Sequence, residues 1–164
     1  FQRTNIFPRL SVFENIQVAV LTHARKTLNF LTPAKNLVQA ETFALLEDVG
    51  LVDQAKSISG TLSYGFQKQL ELGITLASEP ELLLLDEPTA GMSPQETTNS
   101  IALIERISKE RGLTLLFTEH DMDVVFSVAD KITVLHQGSV LAEGTPEEVK
   151  NDPDVQRVYL GEAA

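Results

Sequence analysis

The sequence contains no cysteine. No disulfide framework and no thiolate metal site can be built from it, and a reducing compartment is compatible with that. Basic residues are scarce: 13 Lys and Arg stand against 23 Asp and Glu, a formal net charge of -10. Non-specific affinity for nucleic acid comes mainly from a basic face. None is visible, so nucleic acid is not an expected partner. No apolar run approaches the roughly 20 residues of a membrane-spanning helix. No secretory leader, internal repeat or low-complexity tract is visible either. The chain opens on Phe1-Gln2-Arg3 rather than on Met, which reads as a piece of a longer protein. What is present is ordinary globular material: 164 residues, 43% hydrophobic and 22% charged, enough for a sizeable core.

Three capping boxes punctuate the chain: Ser11-Val-Phe-Glu14, Ser93-Pro94-Gln95-Glu96 and Thr145-Pro146-Glu147-Glu148. Each predicts a helix start, since the Ser or Thr and the acid three places on satisfy each other's backbone N–H. Helices are expected from 12 into the low 20s, over 39–49 closed by Gly50, from Ser63 to about 77, from Ser93 to about 111, over 122–129, and at the C-terminus after Thr145. Residues 25–37 read as polar and irregular. Strands are expected at 82–86 and 113–117, with a hairpin 131–136/139–143 around Gln137-Gly138. The organisation is an entry loop (1–10), a helical part (11–79) and an alternating β/α part (80–164). The fold class is α/β with a parallel sheet core, an inserted helical subdomain and a C-terminal hairpin.

The most telling stretch is Leu82-Leu-Leu-Leu-Asp86-Glu87-Pro88. Four consecutive leucines read as a strand buried on both faces of a parallel sheet, and Pro88 ends it. Open α/β sheets bind ligands at the carboxyl ends of their strands. Asp86 can hold Mg²⁺ there, and Glu87 can take a proton from an attacking water; two solvated acids capping a strand would look the same. Ser63-Tyr64-Gly65 at a helix start offers a hydroxyl, backbone N–H groups and the positive helix end, which suits phosphate; an N-cap serine is the plainer use. His120, at the tip of the second strand, can reach a phosphate or orient water, or be a surface histidine, as His23 and His136 are expected to be. The Gln2 side chain can contact both Mg²⁺ and water, though one glutamine alone signals little.

The order of these pieces carries a resemblance. Phe1-Gln2, Leu-Ser-Tyr-Gly-Phe (62–66), Leu-Leu-Leu-Leu-Asp-Glu-Pro, Gly91-Met-Ser-Pro94 and Thr-Glu-His120 resemble the Q-loop, signature loop, Walker B strand, D-loop and switch histidine of the P-loop NTPases of ABC type, over essentially all 164 residues. Within that family the stretches 90–97, 119–123 and 151–162 are similar to the ATP-binding subunit of branched-chain amino acid importers; urea and amide importers have similar subunits. The resemblance implies ATP and Mg²⁺ as cofactors, Asp86 and Gln2 at the metal, Glu87 polarising the hydrolytic water, and His120 at the γ-phosphate. It implies that Ser63 and Gly65 meet ATP held mainly by a second ATPase subunit, identical or different. It also implies permease subunits as partners, a periplasmic solute-binding protein acting indirectly, and a peripheral position on the cytoplasmic face of the inner membrane.

Two departures stand out. The signature loop has Tyr64 and Phe66 where Gly and Gln are usual, with Gln67 one place late, which puts the contact with the opposite face in doubt. No Gly-x-x-x-x-Gly-Lys-Ser/Thr phosphate loop occurs in the chain. Weak ATP binding without hydrolysis is therefore expected of these 164 residues alone, with an uncovered sheet edge. Two rivals are a DNA-repair or chromosome-organising ABC ATPase and a non-enzymatic docking subunit. The short gap between Gln2 and Ser63 and the acidic charge count against the first. Intact Glu87 and His120 count against a degenerate parent.

Overall fold

The structure, a computed structural model, describes residues 5–24 and 37–160. Gln2 and the 25–36 segment lie outside the described residues. The chain divides into two compact units, Phe1–Thr118 and Glu119–Ala164.

In the first unit, helix α1 (Val12–His23) begins at its capping box: Ser11 Oγ accepts from Glu14 N at 3.2 Å, and Glu14 Oε2 accepts from Ser11 N at 2.8 Å. Helix α2 (Gln39–Asp48) ends at Val49, and Gly50 takes the left-handed conformation (φ +69°) that closes a helix without a Cβ penalty. Two 3₁₀ turns, Val52–Gln54 and Ser59–Thr61, lead to α3 (Tyr64–Leu76). These helices pack around Ile16, Leu46, Leu51, Leu70 and Leu76, all fully buried. The entry loop is tied to them by the buried Asn15 amide, which accepts from Phe7 N at 2.8 Å and donates to Phe7 O at 3.1 Å and Ser59 Oγ at 3.1 Å. A buried amide with each face bonded stabilises; an unpaired one would not be tolerated.

Strand β1 (Leu82–Asp86) pairs in parallel with β2 (Thr114–Thr118), from Leu82 opposite Thr114 to Asp86 opposite Thr118. Helix α4 (Pro94–Arg111) connects them. The second strand starts one residue later than its sequence suggests. Gly112 (φ +63°) turns the chain out of α4, and Leu113 N is taken by Ser108 O at 2.9 Å, so the ladder begins at Thr114. The two-faced burial expected of β1 is not seen among the described residues. Leu83 is 3% exposed, but Leu84 is 65% exposed and Leu116 of β2 is 62% exposed. Described elements cover only one face of this pair, and a run of leucines carries no period that could have said so.

The second unit holds α5 (Met122–Val128), the antiparallel hairpin β3 (Ile132–His136) and β4 (Ser139–Gly144), and a broken tail. Gln137 and Gly138 both have positive φ (48° and 79°), as a two-residue hairpin turn requires. Val124, Val125, Ile132, Val134, Val149 and Val155 are its buried side chains. The terminal helix expected after Thr145 is five residues long, α6 (Pro146–Lys150). Pro153 disfavours helical geometry at Asp152, and the chain restarts as α7 (Pro153–Val155) and a π-helical turn, Gln156–Leu160. His136 packs edge-on against Tyr159, with centroids 6.3 Å apart, and His23 Nε2 lies 3.7 Å from Glu79 Oε2, in keeping with structural roles for both.

Candidate functional site

The strand register brings Asp86 and Thr118 side by side. Thr118 Oγ1 donates to Asp86 Oδ1 at 2.6 Å. Glu87 N donates to Thr118 O at 3.0 Å and lies 3.4 Å from Thr118 Oγ1. Glu87 itself has φ +45°. A left-handed conformation costs a non-glycine residue about 1–2 kcal/mol, and such residues cluster at functional sites. The backbone thus turns at Glu87, directly after the last residue of β1. Ala90 N then bonds Glu87 O at 3.2 Å and Met92 N bonds Thr89 O at 3.1 Å, a tight path into the second capping box.

Ser63 caps α3: its Oγ accepts from Phe66 N at 3.4 Å, and a hydroxyl can donate as well as accept. Gly65 is the second residue of that helix and is buried, with the half-exposed rings of Tyr64 and Phe66 on either side. Lys68 Nζ sits 5.8 Å from the Tyr64 ring centroid. The displaced Gln67 turns back on the loop, its Nε2 donating to Leu62 O at 3.2 Å. The loop after β1 approaches this helix. A Cβ placed on Gly65 would lie 3.1 Å from Glu96 Oε1, and one on Gly91 would lie 3.9 Å from Tyr64 Cε1. A cavity of about 280 Å³ runs beneath, between α3, α4 and β1, with Lys68, Asp86 and Pro88 among its lining residues.

Asp86, Glu87, Ser63 and Gly65 all belong to the first unit; His120 belongs to the second. The imidazole of His120 is 74% exposed, its Nδ1 is 3.9 Å from Glu119 Oε2, and its backbone N donates to that oxygen at 3.2 Å. Gln2 lies outside the described residues.

The donor chemistry fits the cofactors the sequence implies. Asp86 is a hard oxygen donor with a fixed orientation, suited to Mg²⁺, which is usually bound through one or two carboxylates plus substrate phosphates and water. Among the described residues no group of three His, Cys, Asp or Glu side chains could form a cage for a metal, so a cation there would rely on the nucleotide for its other ligands. The α3 N-terminus fits an anionic phosphate oxygen.

Sequence reading missed two residues. Thr118 matters only through register: the last residue of one five-residue strand faces the last of the other, which alignment of the two apolar runs would reveal. In the sequence Glu96 is legible only as a cap; its reach to Gly65 depends on how α4 packs on α3. Its carboxyl is held below the usual carboxylate value, first by the Ser93 backbone N–H and then by the Ser93 hydroxyl.

Comparison with known proteins bears on the same residues. The family model described as ABC transporter matches residues 1–90, and that described as branched-chain amino acid ATP-binding cassette transporter matches 139–164. The high-affinity branched-chain amino acid transport ATP-binding protein BraF of Pseudomonas aeruginosa is 41% identical over 172 aligned residues, covering 99% of this chain and 67% of that protein. LivG of Escherichia coli is 39% identical with the same coverage of each. Among solved structures, the ADP conformation of MJ1267, an ATP-binding cassette of an ABC transporter, superposes with a TM-score of 0.76 at 26% identity, covering 94% of this chain and 64% of that one. CbiO1 of Clostridium perfringens, part of the transporter complex cbiONQ, does so with a TM-score of 0.75 at 27% identity, covering 93% and 57%. The chain therefore spans about two thirds or less of the length of these proteins.

Proposed function

The chain belongs to the ABC transporter family, among the ATP-binding cassettes, and from that premise we propose that it is the nucleotide-binding subunit of an importer that couples ATP hydrolysis to uptake of branched-chain amino acids. The strand tip carries this reading. Thr118 hydrogen-bonds the Asp86 carboxylate, and the backbone turns at Glu87 with φ +45°; in this reading one acid serves a cation while its neighbour serves a water. The likeness of residues 139–164 to the branched-chain amino acid cassettes supports the choice of solute over urea or amides.

Phosphoryl transfer asks a protein for positioning and electrostatics more than covalent work. Mg²⁺, when bound, neutralises charge on the β- and γ-phosphates. Asp86 holds its place at the end of β1. Glu87 accepts the proton of the attacking water, and His120 hydrogen-bonds the γ-phosphate. Gln2 links the nucleotide to the permease. Ser63 and the N-terminus of α3 meet the γ-phosphate of ATP bound mainly by the second ATPase subunit, so that two subunits enclose two nucleotides. The helical residues 11–79 form the part that carries this signature loop, and 80–164 the part that carries the hydrolytic residues. The complex works at the cytoplasmic face of the membrane. Permease subunits form the transport path; among the described residues of this chain no helix is long and apolar enough to cross a membrane.

The test is made in the full-length protein reconstituted with its permease and solute-binding protein in vesicles. Glu87→Gln keeps ATP binding and lowers turnover by about 10²–10⁴-fold; unchanged turnover removes Glu87 from the base role. His120→Ala also slows hydrolysis. ATP-driven uptake of leucine but not of urea is expected, and the reverse would reassign the solute. The 164 residues alone, lacking the phosphate loop, bind ATP weakly; micromolar affinity by calorimetry would contradict that.

A further inference from the structure

Gly65 is not required by backbone conformation. It lies inside α3 and is absent from the positive-φ glycines, unlike Gly91 at +76°. What limits its side chain is space. The nearest atom a Cβ would meet is Glu96 Oε1 at 3.1 Å, with Glu96 Cδ at 3.6 Å and Cγ at 3.7 Å. A terminal carboxylate oxygen ordinarily swings aside, but this one is held. Its sister Oε2 accepts from Ser93 N at 3.0 Å and from Ser93 Oγ at 2.8 Å, and Ser93 Oγ in turn accepts from Glu96 N. Moving Oε1 means breaking the cap of α4. The same cap ends the tight path that begins at Glu87, through Ala90 and Met92. Alongside it, a Cβ on Gly91 would lie 3.9 Å from Tyr64 Cε1, an ordinary van der Waals distance.

We infer that Glu96 is a positioning residue: it seats the Ser63–Gly65 loop against the loop that leaves the Asp86–Glu87 strand tip, and Gly65 lacks a side chain to make room for it. This rests on the proposed role of Ser63 and Gly65 as a phosphate-contacting loop. The consequence is mechanical. The loop that meets the partner's nucleotide and the strand tip that meets the chain's own are built on one seam, so a shift in either displaces the other.

A double-mutant cycle tests it in the full-length protein, with Gly65→Ala, Glu96→Ala and the pair, each read by thermal melting and by ATPase turnover per folded molecule. Glu96→Ala is expected to lower kcat with little change in KM for ATP, and Glu96→Gln, which keeps the cap acceptor and its bulk, restores what Glu96→Ala loses. Gly65→Ala is expected to cost less in the Glu96→Ala background, by about tenfold in turnover and about 3 °C in melting temperature. Any cost from crowding a phosphate appears in both backgrounds and cancels. Coupling in melting without coupling in turnover overturns the positioning role. Additivity in both overturns the contact itself. A full-length protein without ATPase activity removes the reading on which the proposal stands; the melting cycle does not depend on ATP, so the two failures are distinguishable.

Discussion

The Thr118 hydroxyl donates a 2.6 Å hydrogen bond to Asp86 Oδ1 from the directly opposite position on the neighbouring strand. A carboxylate at a strand end can rotate about two torsions, and this bond selects one orientation. The same threonine receives the backbone N–H of Glu87 on its carbonyl, so one residue orders both acids.

Thr118→Val keeps the branched shape and removes the hydroxyl. A hydrogen bond to a charged group contributes about 1.5–3 kcal/mol at most, and less at an exposed site. In the full-length protein the Mg²⁺ concentration for half-maximal ATPase activity is expected to rise about three- to tenfold, the equivalent of about 1 kcal/mol of lost orientation. Thr118→Ser, which keeps the donor, restores it. A Val variant with an unchanged Mg²⁺ dependence would show that Asp86 orients itself.

Two glutamates precede prolines with left-handed backbones, Glu79 (φ +50°) and Glu87 (φ +45°). Glu79 belongs to the turn after α3, its N donating to Leu76 O at 3.0 Å, and among the described residues its side chain makes an exposed pair with His23 at 3.7 Å, worth little in water. Replacing it by Gly removes the Cβ penalty, and Asn eases it because its short side chain tolerates this region; the melting temperature of the chain is expected to rise by the equivalent of about 0.5–1 kcal/mol. Glu87→Gly relieves the same strain but removes the proposed base. Stabilisation at both sites, with activity lost only at 87, shows that the strained backbone at the strand tip is kept for the carboxylate it carries, whereas activity retained at 87 removes Glu87 from the base role.

The contrast shows what a sequence exposes. Ser11–Glu14, Ser93–Glu96 and Thr145–Glu148 are local devices, each complete within four residues, and all three form as read. The acid pair was legible because Asp86-Glu87 is chemically out of place after four leucines. Thr118 and the Glu96–Gly65 approach were not legible, because each depends on a contact about 30 residues away in the chain, set by strand register in one case and helix packing in the other. The exposure of Leu84 and the break at Pro153 are failures of a different kind. Burial depends on what covers a surface, and a cap fixes where a helix starts but not how long it runs.

The caps also fix a pH dependence. Glu14, Glu96 and Glu148 are each held below the ordinary carboxylate value of 4.5, first by the backbone N–H of Ser11, Ser93 and Thr145 and then by their hydroxyls. Glu143 is lowered too, through Lys131 and then Thr133. A carboxyl that is more acidic folded than unfolded contributes stability that is fully present above its unfolded value and is lost as pH falls through its folded value. Melting temperature is therefore expected to be flat with respect to these groups between pH 6 and 8, by the rule that only titrating groups contribute slope (roughly pH 5 and above is silent), and to decline below about 4.5. Glu14→Gln combined with Glu148→Gln, which keeps a cap acceptor without a titrating proton, should shallow that decline. A slope below pH 4.5 identical to wild type would show that the caps titrate unfolded and folded alike.

Gly73 gives the sharpest packing prediction. It sits in the middle of α3 with no unusual backbone angle, where alanine is ordinarily the better helix former by about 1 kcal/mol. Helix propensity alone would make Gly73→Ala stabilising. The space says otherwise: the new Cβ would meet Ile16 Cδ1 at 2.9 Å and the two Val49 methyls at 3.3 and 3.5 Å. Ile16 and Val49 are both fully buried and cannot withdraw into solvent. Overpacking a filled core costs about 1–3 kcal/mol, so the net expectation is a loss of about 1 kcal/mol, seen as a lower urea midpoint at unchanged m-value. Ile16→Val removes the methyl that the alanine would strike. In that background Gly73→Ala should cost less than in the parent, because part of its strain is gone, although Ile16→Val itself costs about 0.5–1.5 kcal/mol. Equal costs in the two backgrounds would mean that α1 and α3 separate to admit the methyl, and that this glycine owes its place to something other than their close approach.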